Sequence, residues 1–542
     1  MKALKLFLLF VLCLTNPALA QTASDLAALR LIPVQDGGRI KPLDTVARES
    51  VRFITGASRF QDEDPLWTSL RWLADPAQAA REKSIECRNV ELKRSLHLDA
   101  QQRWFALEEL RKNPIVQERL TALEEKKKLS KPAFSTAEKE FRQIADRMEL
   151  EMALLDGQLW RIVPNSEGME QTWLGLDDLY SGKSDGPQAS VVVAALKDLL
   201  QGAHDKNFSM LRSASEKFSV ALAAMGPTPA LCRMAMEVHY NEFHPFRLAW
   251  VLYLLGFVVL LFSPMRGSRG YWLGAAGTAF GLLFQVYGFY LRCSIAGRPP
   301  VTNMYESVIW VAFGAVLFAC AFEIFYRTRV FLLAATAFSV VALILADNLP
   351  AVLDSSLKPL TPVLRNNFWL TVHVLTITMS YAAFALALGL GHMAVWSKVF
   401  QPNAKQKFAY LNQALYKAIQ LGVLLLAAGT ILGGVWANYS WGRFWGWDPK
   451  EVWALIALLG YLALLHGRYA GWVGGFGLAA GSIVAFMGVI MAWYGVNFIL
   501  GVGLHSYGFG TGGLGYMAAY VSSEFILVAY LTVRFRRTKS CL

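Results

Sequence analysis

Nine apolar stretches in the second half of the chain limit what it can fold into. Each is close to the ~20 residues that an α-helix needs to cross a bilayer. A chain in lipid must satisfy its backbone hydrogen bonds internally, so stretches of this kind form helices. We therefore predict a mainly α, polytopic α-helical membrane protein with spans at 247–264, 270–291, 304–325, 329–347, 369–396, 416–438, 450–467, 472–498 and 515–533.

The composition agrees with a membrane protein. Of 542 residues, 55% are hydrophobic and 17% are charged, whereas soluble domains are about one quarter charged. The net charge of +12 does not indicate a nucleic-acid partner, because the basic residues lie in short loops between apolar segments. Membrane lipid is expected to contact the protein, and no nucleic acid.

The first half of the chain is organised differently. Residues 1–20 are typical of a secretory signal peptide, with Lys2 and Lys5 before an apolar core and a cleavage site at Ala18–Ala20. An uncleaved anchor helix is the alternative, and in either case the next part of the chain is exported. From residue 21 to 245 charges mix with apolar residues at helical spacing, which predicts a mostly helical extracytoplasmic domain. The membrane domain then occupies 246–536.

The six cysteines, at 13, 87, 232, 293, 320 and 541, form no C-x-x-C pair. Their spacing argues against a thioredoxin-like protein and against covalent haem c on this chain. Cys87 and Cys232 could pair in an oxidising compartment.

The basic residues of the loops predict the orientation of the spans. With the first domain outside, thirteen fall on the cytoplasmic side and six on the outer side, which satisfies the positive-inside rule. The thirteen are Arg266, Arg269, Arg327, Arg329, Lys398, Lys405, Lys407, Lys417, Arg468, Arg534, Arg536, Arg537 and Lys539, and the six are Arg292, Arg298, Lys358, Arg365, Arg443 and Lys450.

An unusually dense tryptophan cluster lies in the outer loop between the sixth and seventh spans. The stretch WANYSWGRFWGWDPKEVW, residues 436–453, holds five tryptophans. Aromatic belts at membrane interfaces explain scattered tryptophans, but they explain poorly a cluster of this density around an embedded WDPKE. We therefore predict that the cluster is a binding platform.

Two histidines are predicted on the same outer face. His373 begins the fifth span and His505 lies in the Gly-rich outer loop before the ninth, while His466 lies roughly 20 Å deeper on the seventh. Indoles offer flat apolar faces to a tetrapyrrole, and imidazoles are common axial ligands for its iron. Arg443 or Lys450 could meet the propionates. A lone histidine near a span end is more often a hydrogen-bonded packing residue, which we assume for His392.

These residues resemble the CcsA/ResC family of cytochrome c biogenesis proteins of system II, a haem-handling group with a W-G-x-x-W-x-W-D loop. Here that loop reads Trp441, Gly442, Trp445, Trp447 and Asp448. The segments RPPVTNMYESVIW, WLTVHV, LLHGR and GLHSYGFG also resemble family segments, in the same order.

The resemblance implies a role for each matching residue. His373 and His505 would ligate the iron of haem b from both sides, while Trp441, Trp445, Trp447 and Asp448 would cradle the porphyrin. His466 would ligate haem on its way out from the cytoplasmic side.

The resemblance also implies a reaction and partners. Thiols of an apocytochrome c C-x-x-C-H motif would add to the haem vinyl groups, and no catalytic residue of this chain is expected. A ResB/CcsB-like membrane subunit is expected as partner, and the bacterial inner membrane as location, with the tryptophan loop on the periplasmic side. A haem carrier without ligation activity is the alternative. A secondary transporter that uses Glu306 and Asp448 as polar midpoints is a third, although the sequence shows no inverted repeat.

Overall fold

The computed structural model describes residues 25–128, 134–164, 171–181, 187–226, 231–263, 267–349, 352–360, 366–500 and 513–540. The predicted signal peptide and the predicted ligand His505 lie outside these residues. The chain divides into two compact units, Met1–Glu242 and Phe243–Leu542.

The first unit is built mainly from short helices. The first seven are α1 (Ala27–Arg30), α2 (Leu43–Thr55), α3 (Pro65–Ala74), α4 (Pro76–Ala79), α5 (Val90–Ser95), α6 (Leu107–Lys112) and α7 (Pro114–Lys127). Later in the chain come α8 (Thr136–Leu155), α9 (Leu176–Tyr180), α10 (Pro187–His204), α11 (Phe208–Ala223) and α12 (Leu231–Phe243), whose last residue belongs to the second unit.

Two small antiparallel sheets, which the sequence pattern did not predict, complete this unit. Strand β1 (Pro33–Asp36) pairs with β2 (Arg39–Pro42), and β3 (Lys83–Glu86) pairs with β4 (Trp104–Ala106) across a register shift. Two-stranded ribbons are marginal alone, so they depend on the apolar core of the unit. Trp72 and Trp160 are fully buried in that core.

Polar groups are also buried in the first unit. The carboxylate of Glu151 on α8 accepts from the Ser84 hydroxyl at 2.9 Å, and burial raises the pKa of Glu151 to about 8. Cys87 is buried and Cys232 is exposed, and both are free thiols. The disulfide that their presence suggested is therefore not formed.

The second unit contains the membrane spans. The described residues include nine helices long and apolar enough to cross a membrane, which confirms the predicted polytopic α-helical class. They are α13 (Pro245–Phe262), α14 (Arg269–Ala296), α15 (Met304–Tyr326), α16 (Val330–Asn348), α17 (Asn367–Phe400), α18 (Lys405–Trp441), α19 (Pro449–Tyr469), α20 (Gly475–Leu500) and α21 (Leu514–Ser540).

Helix α17 is the central element of this unit, and it packs closely along α18. Glycines of α18 make the approach possible. A Cβ at Gly422 would clash with the Phe384 ring, and one at Gly429 would stand 2.9 Å from the Cα of Ile377. Small residues let helix backbones approach closely in membranes, so these positions set the distance between the two helices.

Candidate functional site

A pocket lies at one end of the helix bundle, where α15, α17 and α19 begin and α18 and α20 end. Its empty volume is about 1110 Å³, including space open to solvent. Most of its lining is apolar or aromatic, including Leu370, Val374, Ile377, Ala437, Phe444 and Ala454.

His373 lines this pocket from the first turns of α17. Residues Leu370–Val374 are wound as a π-helix, a distortion that is frequent at functional sites. The ring nitrogen Nδ1 lies 2.8 Å from the carbonyl oxygen of Gly429. A carbonyl only accepts, so Nδ1 carries the proton in the neutral ring and Nε2 carries the lone pair. Metal-ligating histidines are usually oriented by such a bond.

A row of indoles continues from the histidine. Trp436 is 4% exposed, and its ring centroid lies 5.6 Å from that of His373. Its ring is near-parallel to that of Trp369, with centroids 6.4 Å apart, and is inclined by 26° to that of Trp441, with centroids 6.5 Å apart. Trp436, Trp441 and Trp445 all line the pocket. The rings provide flat apolar surface next to an imidazole.

The loop after Trp441 is shaped by the start of α19. Asp448 is the N-cap residue, and its Oδ1 accepts from the backbone N–H of Lys450 at 3.0 Å. The side chain of Glu451 returns to the loop and accepts from the N–H groups of Gly446 and Asp448, at 2.8 and 3.1 Å. This reciprocal capping box fixes the loop. Asp448 is buried and does not line the pocket.

Trp447 differs from the other tryptophans of the loop. Its side chain is 71% exposed, it does not line the pocket, and it meets Trp445 edge to face at 6.0 Å. Its φ of 56° is in the left-handed region, which costs a non-glycine residue about 1–2 kcal/mol. Backbone strain of this kind persists where the surrounding structure imposes it, often at functional sites.

The segment Val301–Met304 also lines the pocket and is held in place by Glu306. Glu306 is 1% exposed, and its carboxylate accepts hydrogen bonds from Arg292 Nη2 at 2.7 Å and from Arg298 Nη1 at 3.2 Å. The carboxylate also accepts hydrogen bonds from the backbone N–H of Thr302 at 2.8 Å and from the Thr302 hydroxyl at 2.7 Å. Glu306 is therefore an anchor for this segment.

The third alternative, a secondary transporter, names Glu306 and Asp448 as polar midpoints, and the structure places both at the start of a helix. Glu306 lies in the first turn of α15, and Asp448 caps α19. Neither residue therefore lies in the middle of its helix.

Helix α20 contributes residues that the sequence analysis missed. Its last part, Met491–Leu500, is also a π-helix, and Trp493 and Asn497 within it line the pocket. Trp493 Nε1 donates to the Ser307 hydroxyl at 2.8 Å, which ties α20 to α15. An asparagine inside an apolar span was a signal that could have identified this region.

Three further histidines of the second unit, His392, His466 and His505, were assigned from the sequence. His505, the predicted second ligand, lies outside the described residues. His466 is exposed near the other end of α19, about 24 Å from Lys450 at 1.5 Å per residue, and its Nδ1 donates to the Leu462 carbonyl at 2.8 Å. His392 forms two hydrogen bonds of 2.9 Å, one between Nδ1 and the Leu388 carbonyl and one between Nε2 and the Glu524 carboxylate. These contacts are those of a packing residue.

His373 and the indoles beside it have the chemistry to hold a metalloporphyrin. Among the described residues, no group of three or more His, Cys, Asp or Glu side chains could hold a metal ion. An iron porphyrin brings four equatorial nitrogens and needs only axial ligands from the protein. His373 can supply one such ligand, with indole faces beside it.

The fold and this pocket define a multi-pass α-helical membrane protein. The comparisons with known proteins identify its family. The sequence profile described as Cytochrome C assembly protein matches residues 301–505. The CcsA proteins of Prochlorococcus marinus and of Synechococcus sp. share 34% and 32% identity over 298 and 307 residues, which is 93% and 98% of their lengths and 47% and 49% of this chain. The chain belongs to the CcsA family of cytochrome c biogenesis proteins.

A longer relative matches most of the chain. Protein NrfI of Wolinella succinogenes is 28% identical over 500 residues, or 87% of this chain. The chain spans about half of NrfI, since the match covers 53% of that protein. The similarity to NrfI therefore includes much of the first unit.

Proposed function

We propose that this protein is the haem-handling subunit of a cytochrome c synthase, with haem b held in the pocket beside His373. The observation that supports the proposal most strongly is the hydrogen bond from His373 Nδ1 to the Gly429 carbonyl. It leaves the lone pair on Nε2 of a pocket-lining imidazole. The walls of that pocket, formed by Trp436, Trp441 and Trp445, have the flat apolar faces that a porphyrin requires.

His505 is proposed as the second axial ligand. It comes after α20 in the chain, and the π-helical end of α20 lines the same pocket. The pocket would face the periplasmic side of a bacterial inner membrane, as the charge bias of the loops indicates. His466, near the other end of α19, would meet haem during export, together with a ligand from a ResB-like partner.

The chain would act by positioning. Bound haem supplies the vinyl groups, and the two cysteine thiols of an apocytochrome C-x-x-C-H motif supply the sulfur atoms of the thioethers. His373 would hold the iron, and the indoles would orient the ring and exclude water. Holding two reactants in one geometry lowers the entropic part of the barrier, so no nucleophile of this chain is needed.

Co-expression tests the proposal. The chain and a ResB-like partner are produced with a C-x-x-C-H apocytochrome reporter in cells without another maturation system. The purified complex should show a bis-histidine, b-type spectrum, and the reporter should carry covalent haem. A colourless complex from haem-replete cells would overturn the proposal. Bound haem without covalent haem on the reporter would favour the carrier alternative.

A further inference from the structure

The pocket contains two charged side chains among its described lining residues, Lys450 and Glu451. The carboxylate of Glu451 is already engaged, because it accepts from the N–H groups of Gly446 and Asp448. Its position in the first turn of α19 places it near the positive end of the helix dipole. Glu451 therefore has a structural role, and its charge is compensated locally.

Within the described part of the chain, the hydrogen bond of Lys450 that involves another residue comes from its backbone and not from its side chain. Its N–H donates to Asp448 Oδ1, which fixes the residue in the first turn of α19. Its ammonium forms no hydrogen bond and no ion pair with any residue that the structure describes, although the charge of Asp448 acts on it. Ammonium groups in apolar surroundings are normally paired. Lys450 thus presents a positive charge to the pocket without a protein partner in the described chain.

Arg443 is the other basic residue that the sequence offered for this role. Its Nη1 donates to the Gly446 carbonyl at 3.3 Å, within its own loop, and it does not line the pocket. The structure therefore separates two cations that the sequence could not distinguish. Arg443 stabilises the loop, and Lys450 faces the ligand space.

We propose that Lys450 is the carboxylate-binding residue of this pocket and that it pairs with a propionate of the haem. The inference rests on the proposed function. A porphyrin is apolar on both faces and anionic at one edge, so a pocket of indoles with one ammonium matches its charge distribution. The pairing fixes the rotation of the ring about the bond from His373 to the iron, and so fixes where the vinyl groups lie.

The test uses the full chain purified with its partner, stripped of haem and titrated with iron mesoporphyrin or its dimethyl ester. Soret absorption gives the affinity for each. The wild-type protein should prefer the diacid by about tenfold or more, as expected for one charge-assisted contact. Lys450→Met should bind the ester as the wild type does and lose the preference for the diacid. Lys450→Arg, which keeps the cation, should retain most of it.

The outcomes separate this inference from the proposed function. A Lys450→Met protein that still binds the ester normally and keeps the full preference for the diacid overturns the role of Lys450. A wild-type complex that binds neither porphyrin overturns the proposed function itself. If Lys450→Met binds neither compound, the Lys450→Arg protein tests the inference instead. A Lys450→Arg protein that binds the ester but does not prefer the diacid would overturn the role of Lys450.

Discussion

Gly433 and His373 are in such close contact that a Cβ on the glycine would stand 2.6 Å from Cε1 of the imidazole. The glycine lies one helical turn after Gly429, whose carbonyl holds the same ring. Two neighbouring turns of α18 therefore determine the position of the histidine. Gly429 accepts a hydrogen bond from the imidazole, and Gly433, which has no side chain, leaves room for the ring.

Gly433→Ala is expected to displace the imidazole and to reduce haem retention. Overpacking of this kind costs about 1–3 kcal/mol, which corresponds to roughly 5- to 150-fold in affinity. The measurement is haem per protein and the Soret spectrum of the purified complex. Gly460→Ala is the control, because no atom lies within 4 Å of the added Cβ in that span. Equal haem retention in both variants would contradict the expected contact.

His373→Gly is expected to lose the bis-histidine spectrum and to regain it when imidazole is added. The substitution removes the ring and leaves a cavity that imidazole can enter. The comparison is His392→Gln, which keeps a hydrogen-bonding group opposite Glu524 and should leave the spectrum unchanged. A His373→Gly protein with an unaltered spectrum would show that another residue ligates the iron.

Glu306→Ala is expected to destabilise the second unit by about 3–5 kcal/mol, because it leaves the buried guanidiniums of Arg292 and Arg298 without their shared carboxylate. The midpoint of thermal aggregation in detergent should fall accordingly. Asp347→Ala removes the partly exposed pair with Arg247 and should cost about 1 kcal/mol or less. Similar midpoints for the two variants would refute the anchoring role of Glu306.

The first unit is expected to lose stability as the pH rises towards about 8. Burial raises the pKa of Glu151 from 4.5 to about 8, so between these values the folded form binds a proton that the unfolded form releases. The free energy of unfolding should therefore fall with rising pH, by roughly 1.4 kcal/mol per unit, and level off above the folded pKa.

Hydrogen exchange at pH 5, 7 and 9 measures this effect. Glu151→Gln cannot release the proton, so its protection relative to the wild type should increase from pH 5 to pH 9. Comparison of the two proteins at each pH cancels the intrinsic exchange rate. Glu149→Gln alters an exposed carboxylate on the same helix and should show no such trend. A constant difference for Glu151→Gln would contradict the raised pKa.

The sequence predicted the membrane helices well because the bilayer imposes their length and polarity. The predicted span 304–325 corresponds to Met304–Tyr326. Helix α18 begins at Lys405, well before the predicted start at 416, because its first turns are amphipathic and carry no membrane signal. The π-helical segments of α17 and α20 were not predicted, since their side-chain pattern does not differ from that of an α-helix.

The pocket was predicted only in part. His373, Trp441 and Trp445 were recognised from their residue types, and all three line it. Trp447 and Asp448 were recognised in the same way but do not line it. Trp436 was part of the predicted tryptophan cluster but was given no role of its own. Trp493 and Asn497, which come from a span far along the chain, were missed.

The sequence alone determined that this chain crosses a membrane many times and carries an aromatic platform with histidines near it, because hydropathy and residue type are local properties. Only the tertiary structure decided which of these groups share a pocket. The separation of Lys450 from Arg443 and the setting of His373 by Gly429 and Gly433 depend on contacts between helices. Such contacts arise from how side chains of different spans fit together, and no local pattern encodes that fit.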